Sequence, residues 1–138
     1  MFSHITVGTN DLLKSKHFYS AILLPLGYIQ REVIPDGGPK ACCWLSKEST
    51  LPRFYIYEPF NKQVATPGNG AMVSFLAADI VSVNKSYAAG LQNGGVDEGA
   101  PNERTHYGVG YYGAYLRDPD GNKIHIVFRG DLLSPTID

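Results

Sequence analysis

The chain is poor in cysteine and in charge of either sign. Only two cysteines occur among its 138 residues, Cys42 and Cys43. Adjacent cysteines do not form the usual loop-closing disulfide, so the sequence excludes a disulfide scaffold and predicts two buried or half-buried thiols in a strand. Twelve basic against 13 acidic residues give a net charge of -1. Because no basic field attracts phosphate backbones, we expect no nucleic acid partner.

Long apolar runs are also missing. The longest strongly apolar stretch near a helix-forming segment, Ala21 to Leu26, is far shorter than the roughly 20 residues of a membrane span. The first residues lack a basic region followed by an apolar one, which argues against a secretion signal. We therefore expect no membrane partner and a cytoplasmic location. With 43% hydrophobic and 18% charged residues, the sequence predicts one packed globular domain over residues 1–138.

An internal repeat organises the chain. A shift of 68 positions places the segment His4 to Asp11 over Met72 to Asp79, apolar on apolar and Asp on Asp. The same shift, without a gap, places Tyr57 over His125. A register held from the first strand to the last predicts two similar modules, residues 2–64 and 70–130, followed by a tail of residues 131–138.

Each module has the same predicted order of elements. A short alternating strand stops at Asp11 or Asp79, either of which suits the N-cap of the helix that follows. Three strands come after each helix, and a Pro-Asp-Gly turn precedes the last of them. The predicted strands are Tyr28–Val33, Ala41–Leu45 and Arg53–Glu58 in module one, and Val96–Glu98, Tyr111–Arg117 and Lys123–Phe128 in module two. The fold class is therefore α+β, with two βαβββ modules.

Strand parity predicts which side chains share a face of the sheet. Ile124 and Ile126 suit packing against a helix, so His125 points away from it. By the same argument His4, Tyr57 and Met72 face away from the helices. Two helices cannot cover both faces of eight strands, so we expect these four residues to lie together on a concave side that encloses a pocket.

At these residues the sequence resembles the vicinal oxygen chelate superfamily, which includes glyoxalases, ring-cleaving dioxygenases, fosfomycin-modifying enzymes and bleomycin-binding proteins. The resemblance spans nearly the whole chain. It is carried by His4-Ile-Thr-Val with Asp11, by the Phe18-Tyr19 pair, and by Tyr112-Gly-Ala-Tyr-Leu-Arg-Asp-Pro-Asp-Gly-Asn-Lys-Ile-His125. It implies the glyoxalase/bleomycin-resistance/dioxygenase fold, a curved mixed sheet around a pocket.

The resemblance also implies a metal site at the four inward positions, but this chain departs from the usual ligands. His4 keeps the first ligand, whereas Met72 replaces the second His, His125 replaces the final glutamate, and Tyr57 stands at the remaining position. Two imidazoles are fewer than the three protein ligands usual at a catalytic zinc. His4 and His125 are predicted either as ligands of a divalent ion such as Zn, Ni, Mn or Fe, or as acid and base groups without a metal.

Aromatic residues supply further candidates for the pocket wall. Flat rings with polar tips suit a planar or amphipathic ligand, although several of these residues could simply fill the core. His106 lies in a glycine-containing loop before a strand, where functional residues are common. Besides Tyr57 and Met72, the predicted pocket residues are Trp44, Tyr55, His106 and Tyr112.

Two hypotheses about function follow. The first is a metal-dependent lyase, isomerase or dioxygenase that uses His4 and His125 on a small-molecule substrate. The alternative is a metal-free binding protein of the bleomycin-resistance type that sequesters an aromatic or drug-like compound. Exposed apolar residues and the C-terminal tail favour a homodimer, with the two modules paired either within one chain or across the dimer.

Overall fold

The computed structural model describes residues 1–133, so residues 134–138 of the predicted tail lie outside the described residues. The chain folds in the order β1 (His4–Gly8), α1 (Leu12–Leu23), β2 (Tyr28–Arg31), β3 (Ala41–Ser46), β4 (Arg53–Tyr57), β5 (Val73–Leu76), α2 (Ile80–Gln92), β6 (Val96–Glu103), β7 (Tyr111–Arg117) and β8 (Lys123–Arg129). The α+β class and the two βαβββ modules are confirmed.

Each module builds one four-stranded mixed sheet. The strand orders are β1-β4-β3-β2 and β5-β8-β7-β6, with β1 parallel to β4 and β5 parallel to β8. All other neighbours are antiparallel. The same topology in both halves is the structural counterpart of the sequence repeat.

Two predicted strand ends are wrong by more than one residue. β2 ends at Arg31 instead of Val33, ahead of the segment that runs to Pro35. β6 continues to Glu103 instead of ending at Glu98. It does so through two shifts of register, on either side of Gly99, where it pairs with β7. An edge strand accommodates a proline such as Pro101 because one of its sides needs no donors.

Both helices begin as predicted. The Asp11 carboxylate accepts a hydrogen bond from the Lys14 backbone N–H at 3.1 Å, and Asp79 accepts one from Ser82 at 2.7 Å. Each cap satisfies one of the free N–H groups in the first helical turn. The hydrogen bond from Ser82 holds the pKa of Asp79 below its ordinary value, so the cap is ionised at neutral pH.

One apolar core joins the two modules. The rings of Phe54 on β4 and Phe75 on β5 meet edge to face with centroids 5.0 Å apart. α1 and α2 pack against each other where Gly90 lies, and a Cβ there would be 2.6 Å from Leu116 Cδ1 and 3.1 Å from Ile22 Cγ2. The absence of a side chain at Gly90 therefore allows the helices to approach closely.

The turn between β7 and β8 ties the second module to the first. Asp118 is only 2% exposed, and its carboxylate accepts hydrogen bonds from the Tyr19 hydroxyl at 2.5 Å and from the Asn122 amide at 2.9 Å. Asp120 accepts from Thr9 Oγ1 at 2.6 Å and from the Asn10 N–H at 2.8 Å. The motif that carries much of the family resemblance thus joins the start of α1 to the last hairpin.

Burial changes the acidity of Asp118 and of Tyr19. Desolvation raises the pKa of Asp118, although its hydrogen bonds oppose that shift. Burial and the neighbouring carboxylate raise the pKa of Tyr19 well above its ordinary value. The phenol therefore stays protonated and donates to Asp118. Among residues 1–133, no helix is long and apolar enough to cross a membrane.

Candidate functional site

The outer face of the first sheet, opposite α1, forms a groove of about 690 Å³, here called the His4 groove. β1 and β4 supply its floor, and the loop of residues 58–66 forms one wall. Its principal residues are His4, Thr6, Tyr55, Tyr57, Glu58 and Phe60. All of its lining residues fall between His4 and Thr66. The groove is therefore built from module one and the two residues that follow it.

Aromatic rings dominate the floor of the His4 groove. The His4 ring meets Tyr55 edge to face at 5.5 Å, and Tyr55 lies 5.8 Å from Tyr57 between ring centroids. His4 Nδ1 is 3.0 Å from Ser3 Oγ. Burial raises the pKa of Tyr57, so its phenol is protonated at neutral pH. The floor offers flat apolar surface with polar tips.

The wall is held by a clamp at the start of α1. The Asn10 amide donates to the Ala65 carbonyl at 3.0 Å, and its oxygen accepts from the Ala65 N–H at 2.7 Å. Beside it, a Cβ on Gly8 would be only 3.2 Å from the Ala65 Cβ. The loop is thus fixed against β1 while Phe60 remains 86% exposed at its tip.

The outer face of the second sheet carries a buried histidine, and we call this surface the His125 face. His125 is 1% exposed and stacks on Tyr115 with ring centroids 4.0 Å apart and an interplanar angle of 11°. Its Nδ1 donates to the Ala114 carbonyl at 2.9 Å. Nε2, which then accepts in the neutral ring, lies 2.7 Å from the Tyr111 hydroxyl. Both ring nitrogens are therefore engaged.

Burial, with help from nearby cations, keeps this imidazole neutral. Desolvation lowers the pKa of His125, and the nearby Arg104 and Lys123 lower it further, against the opposing hydrogen bond to Ala114. Burial raises the pKa of both Tyr111 and Tyr115. At neutral pH the face therefore consists of uncharged rings bordered by cations.

Solved structures place this geometry in a family. A glyoxalase/bleomycin resistance protein from Albidiferax ferrireducens T118 is 41% identical, with a TM-score of 0.79 over 94% of this chain and 98% of that chain. The chain belongs to the glyoxalase/bleomycin resistance protein family. No protein-family model and no curated protein sequence matches it.

More distant solved structures show a likeness of fold only. A glyoxalase-related enzyme from Fulvimarina pelagi is 20% identical, with a TM-score of 0.69 over 94% of this chain and 88% of that one. A lactoylglutathione lyase from Agrobacterium tumefaciens is 15% identical, with a TM-score of 0.64 over 98% and 97%. The glyoxalase/bleomycin-resistance fold predicted from the sequence is confirmed.

This family member divides the predicted inward residues between separate surfaces. His4, Tyr55 and Tyr57 share the His4 groove. Met72 lies just before β5, where it lines small depressions beside Lys123. His125 is on neither of these surfaces, so the chain does not gather the four residues around one cavity of its own.

The remaining predicted pocket residues lie in other places. Trp44 is 1% exposed in the core, and its indole N–H donates to Ser20 Oγ at 3.2 Å. Tyr112 packs on the core side of β7, and its hydroxyl donates to Asn84 at 2.8 Å. His106 is exposed in a short turn with its ring 4.0 Å from that of Tyr107. Of these three, only His106 is near the His125 face, through the contact of Tyr107 with Tyr111.

The donor set does not fit the metal that the family resemblance implies. The described residues contain no group of three or more His, Cys, Asp or Glu side chains that could hold an ion. Both nitrogens of His125 have hydrogen-bonding partners, and Arg104 and Lys123 place positive charge where a divalent cation would bind. The assignment of His4 and His125 as a ligand pair stays a prediction.

Sequence reasoning missed Arg104 and Gly113. A Cβ on Gly113 would be 2.6 Å from His125 Cε1, so glycine alone leaves room for the imidazole. The signal was available in the hairpin, because counting back from the Asp118 turn pairs Tyr115 with His125 and puts Gly113 on the same face.

The Gly113→Ala variant tests this packing. We expect it to lose about 1–3 kcal/mol of stability and to break the Tyr111 to His125 hydrogen bond, because the added methyl group displaces the ring. Urea unfolding and the NMR signal of the His125 ring N–H measure the two effects. Gly38→Ala, which meets only an exposed Asp36 carboxylate, should change stability by less than about 0.5 kcal/mol. An undisturbed His125 signal in Gly113→Ala would contradict the assigned packing.

Proposed function

We propose that this protein binds a small aromatic molecule without a metal ion, in a site that a homodimer completes. The observation that carries the proposal is the His4 groove itself, an open aromatic surface in which His4 is the only imidazole. Among residues 1–133, no group of three or more His, Cys, Asp or Glu side chains could hold an ion. Tyr55 and Tyr57 offer their rings for stacking and their hydroxyls for hydrogen bonds.

The outer faces of the two sheets support the proposal of a homodimer. The His4 groove takes no residue from the second module. Apolar residues stand exposed beside both faces, Phe60 and Val64 at the groove and Leu76, 60% exposed, on β5 of the second sheet. In a twofold dimer the His125 face of one copy would cover the His4 groove of the other and bury these side chains.

The competing hypothesis is a metal-dependent lyase, isomerase or dioxygenase, and metal removal separates the two. We expect protein dialysed against EDTA to bind an aromatic probe, benzoate or benzamide, with an affinity within about twofold of the untreated protein, because no described donor set engages an ion. Calorimetry measures this, with Mn²⁺, Ni²⁺ and Zn²⁺ added back in turn. Binding that requires one of these ions would overturn the metal-free proposal.

A variant of the groove locates the binding. Tyr57→Ala should weaken probe binding by about five- to tenfold, because a stacked aromatic contact contributes on the order of 1 kcal/mol. Phe2→Ala removes an exposed aromatic ring outside the groove and should leave the affinity unchanged. Equal affinities for both variants would place the ligand elsewhere.

The oligomeric state is tested by sedimentation at micromolar concentration. A stable interface of this kind buries on the order of 1,600 Å² in total, which two sheet faces can supply. We expect the mass of a dimer. A monomer mass would overturn the shared site.

A further inference from the structure

The His125 face carries two cations, Arg104 and Lys123, that form no salt bridge with a carboxylate of residues 1–133. Among residues 1–133 the salt bridges are those of Arg117 with Glu98 and Arg129 with Asp131. Arg104 and Lys123 take part in neither. They lie over the same ring, with Arg104 Cζ 4.9 Å and Lys123 Nζ 5.2 Å from the centroid of Tyr115.

Arg104 is positioned by neutral groups. Its Nε donates to the Gly113 carbonyl at 3.3 Å and its Nη2 to the Ala100 carbonyl at 3.1 Å, while its Cζ lies over the Tyr115 ring. Nη1 donates to no residue in the described part of the chain. Since the described residues contain no buried side-chain nitrogen without a partner, Nη1 is open to solvent. The side chain is thus fixed in place with its charge and an N–H edge available.

Lys123 supplies the second open charge. It makes no hydrogen bond within the described residues, so by the same argument its ammonium group faces solvent. The groups beside it are uncharged, because Tyr115 and His125 are both neutral at neutral pH. The acidic Glu98 is paired with Arg117, and Glu103 accepts a hydrogen bond from the Gly110 N–H at 3.2 Å. With Glu98 and Asp131 paired to arginines, Arg104 and Lys123 outnumber Glu103, so this face of one copy is cationic.

We infer that the His125 face binds the carboxylate of an aromatic acid, with Arg104 and Lys123 as its partners. Guanidinium and ammonium groups form charge-assisted hydrogen bonds with carboxylates, and Arg can do so with two parallel N–H groups. The inference rests on the proposed function, because the aromatic part of the ligand would lie in the His4 groove of the other copy. It goes beyond that proposal in naming the ligand as an organic anion.

Calorimetry with benzoate and its neutral isostere benzamide tests the inference. We expect benzoate to bind at least about tenfold more tightly, since hydrogen bonds to charged groups contribute more than neutral ones, and we expect the preference to shrink at high salt. Arg104→Gln and Lys123→Gln should each reduce the affinity for benzoate by about tenfold and leave benzamide within about twofold. The control Lys47→Gln removes an exposed positive charge elsewhere and should change neither.

Each other outcome is informative. Equal binding of benzamide and benzoate would overturn the inference and leave the proposed function standing. A preference for benzoate that survives in both variants would also overturn it, because the anion would bind elsewhere. A preference lost in both variants but insensitive to Tyr57→Ala would support the anion site and contradict the proposed groove. Binding of neither probe would overturn both proposals.

Discussion

The Asp118→Ala variant is expected to lose at least about 3 kcal/mol of unfolding free energy, with a fall in Tm of roughly 10 °C. The substitution leaves the fully buried Tyr19 hydroxyl without its acceptor, and the Asn122 amide keeps only the Gly8 carbonyl. The backbone N–H groups of Asp120 and Asn122 also lose their acceptor. Buried donors without partners incur most of their desolvation cost, which is why the expected loss is large. Urea unfolding, followed by the fluorescence of Trp44, measures it.

A matched control uses a similar contact that is exposed to solvent. Asp97 accepts from the Tyr87 hydroxyl at 2.8 Å and from the Gly99 N–H at 2.8 Å. Asp97→Ala should cost less than about 1 kcal/mol, because water can replace the lost acceptor. Equal losses in the two variants would show that the Asp118 turn does not hold the modules together.

The acidity of Asp118 gives the same contact a pH dependence. Its folded pKa is raised above the ordinary value of 3.8 by burial. Between pH 3.8 and the folded pKa, the folded state therefore binds more protons than the unfolded state. The stability that comes from protonated Asp118 is fully present below pH 3.8 and is lost as the pH rises through the folded pKa. The Asp118→Asn variant has no titratable carboxylate at this position and so lacks this pH dependence. The free energy of unfolding of the natural chain minus that of this variant should fall as the pH rises from about 4 to about 7. A rise in this quantity would contradict the assigned pKa shift.

The fold could be predicted from the sequence because its determinants are local or repeated. Asp11 and Asp79 mark the helix starts by a capping preference, and the repeat fixes the order of the strands around them. The end of β6 could not be predicted, because irregular pairing around Gly99 depends on how β7 presents its edge.

The candidate site was harder to predict than the fold. Parity alone separates the two faces of a strand, and it predicts His4, Tyr57 and His125 on the face away from the helices, where they lie. It does not say whether two outward faces of one chain meet, and here they line separate surfaces. The chemistry of Trp44 and Tyr112 suits a pocket wall, yet their strands turn them toward the core.

Arg104 was missed for a different reason. It lies in an irregular segment where neither periodicity nor a motif marks it. Its place over Tyr115 follows from the bulged β6 and from the small Gly99, against which a Cβ would be 3.1 Å from Arg104 Nη2. Tertiary contacts of this kind have no signature in the local sequence.

A dimer of two differently damaged chains is expected to recover one intact binding site. A Tyr57→Ala chain has a damaged groove, and a chain with both Arg104→Gln and Lys123→Gln has a damaged His125 face. We expect each homodimer to lose most of its benzoate binding, because every site in it would contain one damaged half. In a heterodimer, one site would combine the two damaged halves and the other the two intact halves.

Co-expression of the two chains with different affinity tags, followed by purification on both tags, isolates this heterodimer. Benzoate titration calorimetry then counts its sites. If the His4 groove of one copy and the His125 face of the other form one site, the heterodimer should bind about one benzoate per dimer with the natural affinity, half the stoichiometry of the natural dimer. A heterodimer as weak as its two parent homodimers would show that both halves belong to the same chain, and would contradict the shared site.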